Sequence, residues 1–157
     1  LGPIIASKAN ARHRKFLGDF LGTLCALLGS LAKFKGAYLK VKVDGEEVNL
    51  PCLLNLTVGK DPYLASGMKV FSDIKPDDGR LYILSVQKIS LLSIMANIHK
   101  LYSGNFLKYD GAAICYGKEV EIACDLGNMP VEFDGDTKGY LPAKIEVINK
   151  SLEVIVK

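Results

Sequence analysis

The chain has 157 residues, 49% of them apolar, and a net charge of only +3. That is enough apolar material for one domain with its own core, and it excludes a disordered segment. It equally excludes a nucleic-acid binder built on a dense basic surface.

Residues 12–34 are predicted to form the first helix. Leu17, Leu21, Leu24, Leu28 and Leu31 recur at steps of three and four and lie on one stripe, which Phe16 and Phe20 widen. Gly18, Gly22 and Gly29 each cost about 1 kcal/mol against alanine inside a helix, so packing has to compensate. Gly36 stops the helix. Its uncharged part, residues 20–32, is 13 residues long, and a membrane-spanning helix needs roughly 20. Arg12, His13, Arg14 and Lys15 open this helix against its dipole, which suits contact with phosphate or with an acidic membrane surface.

After Gly36 the period changes to two. Leu39, Val41 and Val43 share one face of a strand, and Tyr38, Lys40 and Lys42 share the other. "DGEE" at 44–47 is a turn, and the chain returns through Val48 and Leu50 toward "CLLNLTV". "VGKDPYLASG" reads as a loop, and "MKVF" and "RLYILSV" flank the punctuated segment "SDIKPDDG". A second helix is expected over residues 90–103, with Leu91, Met95, Ile98 and Tyr102 at helical spacing, Ser90 as cap and Gly104 as stop. The strand-like runs "KEVEIAC", "PVEF", "AKIEV" and "LEVIVK" close the chain. About eight short strands that do not alternate with helices predict a mainly β domain, an antiparallel β-sandwich with two helices.

Four cysteines (Cys25, Cys52, Cys115, Cys124) form no CxxC pair, and His13 and His99 stand far from them. The sequence therefore offers no zinc site. Cys25 and Cys124 read as buried reduced thiols, consistent with a cytoplasmic protein. No GxGxxG and no P-loop is present, so the chain carries no nucleotide-binding fingerprint of its own.

Two acidic turns remain. In "KPDDGRL", residues 75–81, Pro76, Asp77, Asp78 and Gly79 satisfy ordinary turn chemistry. One carboxylate with backbone carbonyls would also suit a hard cation such as Mg²⁺ or Ca²⁺. In "VEFDGDTKGYLPA", residues 131–143, the "FDGD" stretch is sufficient as a hairpin loop. Asp134, before the glycine, suits the turn. Asp136, after it, is freer to project and to act as a general base toward a substrate hydroxyl.

Taken in order, "LASGMKVFSDIKPDDGRLYILSV", a helix, and "KEVEIACDLGNMPVEFDGDTKGYLPAKIEVINKSLEVIVK" resemble the C-terminal half of the diacylglycerol kinase and sphingosine kinase superfamily. The bacterial lipid kinases of that group are the most similar, with their GGGM, PxAxxDDG and LDGE segments followed by a final hairpin. The correspondence runs from about residue 37 to residue 157, and the first 36 residues are compatible with it. The resemblance implies a two-domain protein in which a separate N-terminal domain carries a GGDGT loop for ATP and faces this β-sandwich across a cleft. It implies Asp136 as the base, and a structural Mg²⁺ or similar divalent cation held by the Asp78 side chain and the carbonyls of Lys75 and Arg80. It further implies a lipid alcohol as phosphoryl acceptor. The chain departs from the pattern in four places: GGDGT is absent, GGGM is replaced by Ala65, Ser66, Gly67 and Met68, Ser72 and Ile74 stand where proline and alanine are usual, and DGE has become DGD.

Two functional expectations follow. The first is the C-terminal domain of an ATP-dependent lipid kinase. It would be completed by a nucleotide-binding domain outside this polypeptide, be cytoplasmic with peripheral membrane contact, and use no nucleic acid. The second is a non-catalytic lipid- or protein-binding β-sandwich module. A cleft face left uncovered would in either case favour a homodimer. A stand-alone metal-dependent hydrolase lacks the necessary cluster of ligands.

Overall fold

The computed structural model describes residues 33–61, 63–64, 68–70, 73–75, 77–87, 90, 93, 96, 111–125, 127–134, 136–151 and 153. Eleven strands lie among them: β1 (Lys40–Val43), β2 (Glu46–Val48), β3 (Leu53–Gly59), β4 (Tyr63–Leu64), β5 (Met68–Lys69), β6 (Leu81–Gln87), β7 (Ala112–Gly117), β8 (Glu119–Ala123), β9 (Pro130–Phe133), β10 (Asp136–Tyr140) and β11 (Ala143–Glu146). One sheet has the order β11-β8-β1-β2, a second has the order β3-β6-β7, and β9–β10 and β4–β5 are separate hairpins. Every pairing is antiparallel.

The alternation of β1 places Val41 in the core, with Lys40 and Lys42 outside. At the β1–β2 turn, Asp44 (φ 51°) and Gly45 (φ 85°) both take the left-handed conformation that a tight two-residue hairpin requires. The Asp44 carboxylate also reaches across to the β7–β8 turn, where its Oδ1 accepts the amides of Lys118 (2.8 Å) and Glu119 (2.9 Å). These two bonds, Glu119 first, hold the Asp44 carboxyl below its usual range.

Strand β6 explains the layering. "LYILSVQ" has no polar face, and its first six residues are buried. Leu81 and Ile83 face Val41, Val120 and Ile122 of the first sheet and make the core between the two layers. Tyr82, Leu84 and Val86 point the other way, against Val70 and Ile74. A strand covered on both sides reads as a continuous apolar run, as this one does.

The antiparallel β-rich architecture expected from the sequence is present. Three strands escaped that reading: β4 falls inside the presumed loop, and β7 and β10 were not singled out. The helices expected over residues 12–34 and 90–103 lie almost wholly outside the described residues, as do Cys25, residues 12–15 and most of "LEVIVK". Of the residues in these helices, Lys33, Ser93 and Ala96 are described and are helical, and the Ser93 amide donates to Ser90 Oγ at 3.2 Å; two full helices are not shown among the described residues. Cys124 is half-buried rather than buried, and its Sγ donates to the Tyr38 carbonyl at 3.8 Å. No helix among the described residues is long and apolar enough to cross a membrane.

Candidate functional site

The Asp78 turn is set by its entry into β6. The Asp78 amide donates to the Lys75 carbonyl at 3.3 Å, which closes a turn. Gly79 follows at φ 65°, a conformation that costs any residue with a Cβ roughly 1–2 kcal/mol. The carboxylate is thereby directed inward and is only 14% exposed.

Four donors converge on it. The Arg80 amide (3.0 Å) and Lys60 Nζ (3.1 Å) reach Oδ1. The Lys75 amide (3.1 Å) and Arg80 Nη2 (3.1 Å) reach Oδ2. The Lys75 amide foremost, then the Arg80 amide and the Lys60 and Arg80 side chains, hold the Asp78 carboxyl well below the usual carboxylate range, against desolvation that pushes it up. Lys60 Nζ also donates to the Arg80 carbonyl at 3.0 Å. Arg80 itself lies over the Tyr116 ring, 5.4 Å from its centroid, and the Tyr116 hydroxyl accepts the Asp73 amide at 3.2 Å.

The three residues expected to act together, Lys75, Asp78 and Arg80, are therefore brought together. A divalent cation does not fit them as they stand. A carboxylate offers about four lone-pair sites, and all four are taken by protein donors. The Arg80 carbonyl is engaged by Lys60, and the Lys75 carbonyl by the Asp78 amide. Two positive side chains already face one negative one. Local pattern did not mark Lys60, because it is a lone cation after a strand end. The signal is tertiary. β3 pairs β6 with Val58 opposite Ile83 and Gly59 opposite Tyr82, so the register carried one step further sets Lys60 across from Leu81, beside Arg80.

Asp136 is built differently. It is the first residue of β10 and pairs with Phe133 across the hairpin. Asp134 (φ 52°) serves the turn, as its position before the glycine predicts. The Asp136 carboxylate is 73% exposed, and its ion-pair partner is Lys138 Nζ at 3.3 Å, on the same strand and also exposed. Such a surface pair fixes little. Asp136 is not part of the Asp78 cluster. Phe133, directly opposite it, is 73% exposed as well.

The sandwich interior holds an apolar cavity of about 90 Å³ between the layers, bounded by Val41, Val48 and Leu50 on one side and Ile83, Ala113 and Cys115 on the other.

Among the described residues, no three His, Cys, Asp or Glu side chains converge as a metal cluster. Residues 5–156 match the family model of the YegS C-terminal NAD kinase beta sandwich-like domain. The chain is 23% identical over 150 residues to a diacylglycerol kinase of Staphylococcus carnosus (strain TM300), covering 96% of this chain and 48% of that protein. It superposes on the crystal structure of a diacylglycerol kinase from Bacillus anthracis str. Sterne with a TM-score of 0.61 at 21% identity, covering 89% of this chain and 47% of the other. It thus spans about half the length of the relatives it matches. The match over nearly the whole chain, together with the antiparallel sandwich, places this protein in the YegS C-terminal NAD kinase beta sandwich-like domain family.

Proposed function

We propose that this domain is the acceptor-side half of an ATP-dependent lipid kinase of the diacylglycerol kinase type, with Asp136 as general base. The observation that carries the reading is an exposed carboxylate at the start of β10, in a family with diacylglycerol kinases among its relatives. The acceptor hydroxyl oxygen attacks the γ-phosphorus, a new P–O bond forms, and the bond to the β–γ bridging oxygen breaks with its electron pair leaving on ADP. The hydroxyl proton passes to Asp136. Such transfer depends on positioning and charge neutralisation more than on covalent help from the protein.

ATP is the phosphoryl donor. Its site, and the divalent cation that generally accompanies nucleotide phosphates, belong to a nucleotide-binding domain beyond the residues described. The exposed ring of Phe133, across the hairpin from Asp136, gives an acyl chain an apolar contact beside the base. A lipid acceptor also requires the domain to work at a membrane surface.

The test is an assay of the protein from its complete open reading frame, with ATP and diacylglycerol in mixed micelles. Transfer that Asp136→Asn lowers by about 10²–10⁴-fold, the usual range for a positioned general base, supports the reading. Full activity in that variant removes Asp136 from the mechanism. Lipid binding with no transfer by the wild type leaves a non-catalytic binding module instead.

A further inference from the structure

Lys60 and the Asp78 turn make an arrangement that no metal-dependent reading of this loop requires. The turn was expected to hold a divalent cation through three atoms: an Asp78 carboxylate oxygen and the carbonyls of Lys75 and Arg80. Lys60 Nζ binds two of those three itself, Asp78 Oδ1 at 3.1 Å and the Arg80 carbonyl at 3.0 Å. The third, the Lys75 carbonyl, is turned to the Asp78 amide.

We propose that the Lys60 ammonium is the built-in cation of this loop, standing where a divalent ion would bind, so that the loop closes without metal. Three lines of physical reasoning support this. The spacing is that of an ammonium: both contacts are at hydrogen-bond length, whereas oxygens sit about 2.0–2.1 Å from Mg²⁺ and 2.3–2.6 Å from Ca²⁺. An ammonium carries three N–H donors on a flexible stem, so it can bind a carboxylate and a carbonyl at once, as a small cation does. The charge count also favours it. Lys60 and Arg80 against Asp78 already leave one net positive charge, and a divalent ion would raise this to three around a single carboxylate.

A plain surface salt bridge would not account for these contacts. Lys60 is 28% exposed and Asp78 14%, and the second bond goes to a backbone carbonyl. That bond ties the end of β3 to the start of β6, beyond the last rung of their ladder, Gly59 with Tyr82.

The experiment is thermal melting of the complete protein in EDTA and in millimolar MgCl₂ or CaCl₂. Wild type, Lys60→Met, and Lys60→Met combined with Asp78→Asn are compared. Under the proposal the wild type melts at the same temperature in all three solutions. Lys60→Met melts several degrees lower in EDTA and recovers with the divalent ion, because a ligand that binds only the folded form stabilises it. The double variant does not recover. Should Lys60→Met fail to fold, Lys60→Gln, which keeps an N–H donor without the charge, carries the same comparison. A wild-type rise with Mg²⁺ or Ca²⁺ that Asp78→Asn abolishes would overturn the proposal. So would a Lys60 variant that gains no response to either ion, since Lys60 would then be an ordinary ion pair. Neither result depends on whether the protein transfers phosphate.

Discussion

Asp78 and Asp136 both lie in glycine turns that lead into a strand, yet their surroundings are opposite. Asp78 is mostly covered, receives four donors and is pulled well below the usual carboxylate range. Asp136 is open to solvent, with one loosely placed lysine beside it. A carboxylate with every lone pair occupied cannot take a substrate proton, and an open one adds little to stability. The contrast gives the first turn a structural role and leaves the second open for the chemistry of the proposed function.

The sharpest way to break this contrast is to exchange the two effects. Asp136→Asn should lower lipid phosphorylation by about 10²–10⁴-fold while leaving the melting temperature unchanged. Asp136→Glu should retain activity, since it keeps the carboxylate on a longer stem. Asp78→Asn should do the reverse. Its amide NH₂ would face donors already in place, so the melting temperature should fall by several degrees in calorimetry. If both variants lost only activity, or both only stability, the two turns would not differ as described.

Acid melting gives a second comparison. The Asp78 carboxyl is lower in the folded state than in the unfolded chain. Its stabilisation is therefore complete above the unfolded value, near 4, and is lost as the pH falls from there toward the folded value. The difference in melting temperature between wild type and Asp78→Asn should be flat through the neutral range and shrink only below about pH 4. A difference that shrank on the alkaline side, before lysine deprotonates, would contradict the assigned donors.

A smaller effect is expected at Gly79. Its φ of 65° places it in the left-handed region, and an alanine Cβ there would meet Asn149 Nδ2 at 3.4 Å. Gly79→Ala should cost about 1–2 kcal/mol in denaturant unfolding and disturb Asp78 more than Asp136.

What the sequence made legible follows from how local each signal is. The alternation of Leu39, Val41 and Val43 marks β1, and "DG" at 44–45 marks its turn, because both are read within a few residues. β7, "AAICYG", has no clean alternation because four of its residues are half-buried and only one is exposed, so period alone does not reveal it. The two acids were legible as turn residues for the same local reason. Lys60 was not: eighteen residues separate it from Asp78, and only the β3–β6 register brings them together. Tyr116 is hidden likewise, reaching Asp73 from forty-three residues away. Residue type and spacing thus located the turns, but which turn is saturated depends on tertiary contacts.

The smallest predicted effect bears on how free Asp136 is. Lys138 is its ion-pair partner, at 3.3 Å, with both side chains more than half exposed. Solvent and salt screen such a pair, and two mobile side chains lose entropy in holding it. Lys138→Ala should therefore change stability by no more than about 0.5 kcal/mol. Catalysis should be equally insensitive, because a pair this exposed neither holds the Asp136 carboxylate in place nor blocks it. The rate of lipid phosphorylation in Lys138→Ala should stay close to wild type. A loss as large as that expected of Asp136→Asn would mean that the lysine itself takes part in the reaction at the start of β10.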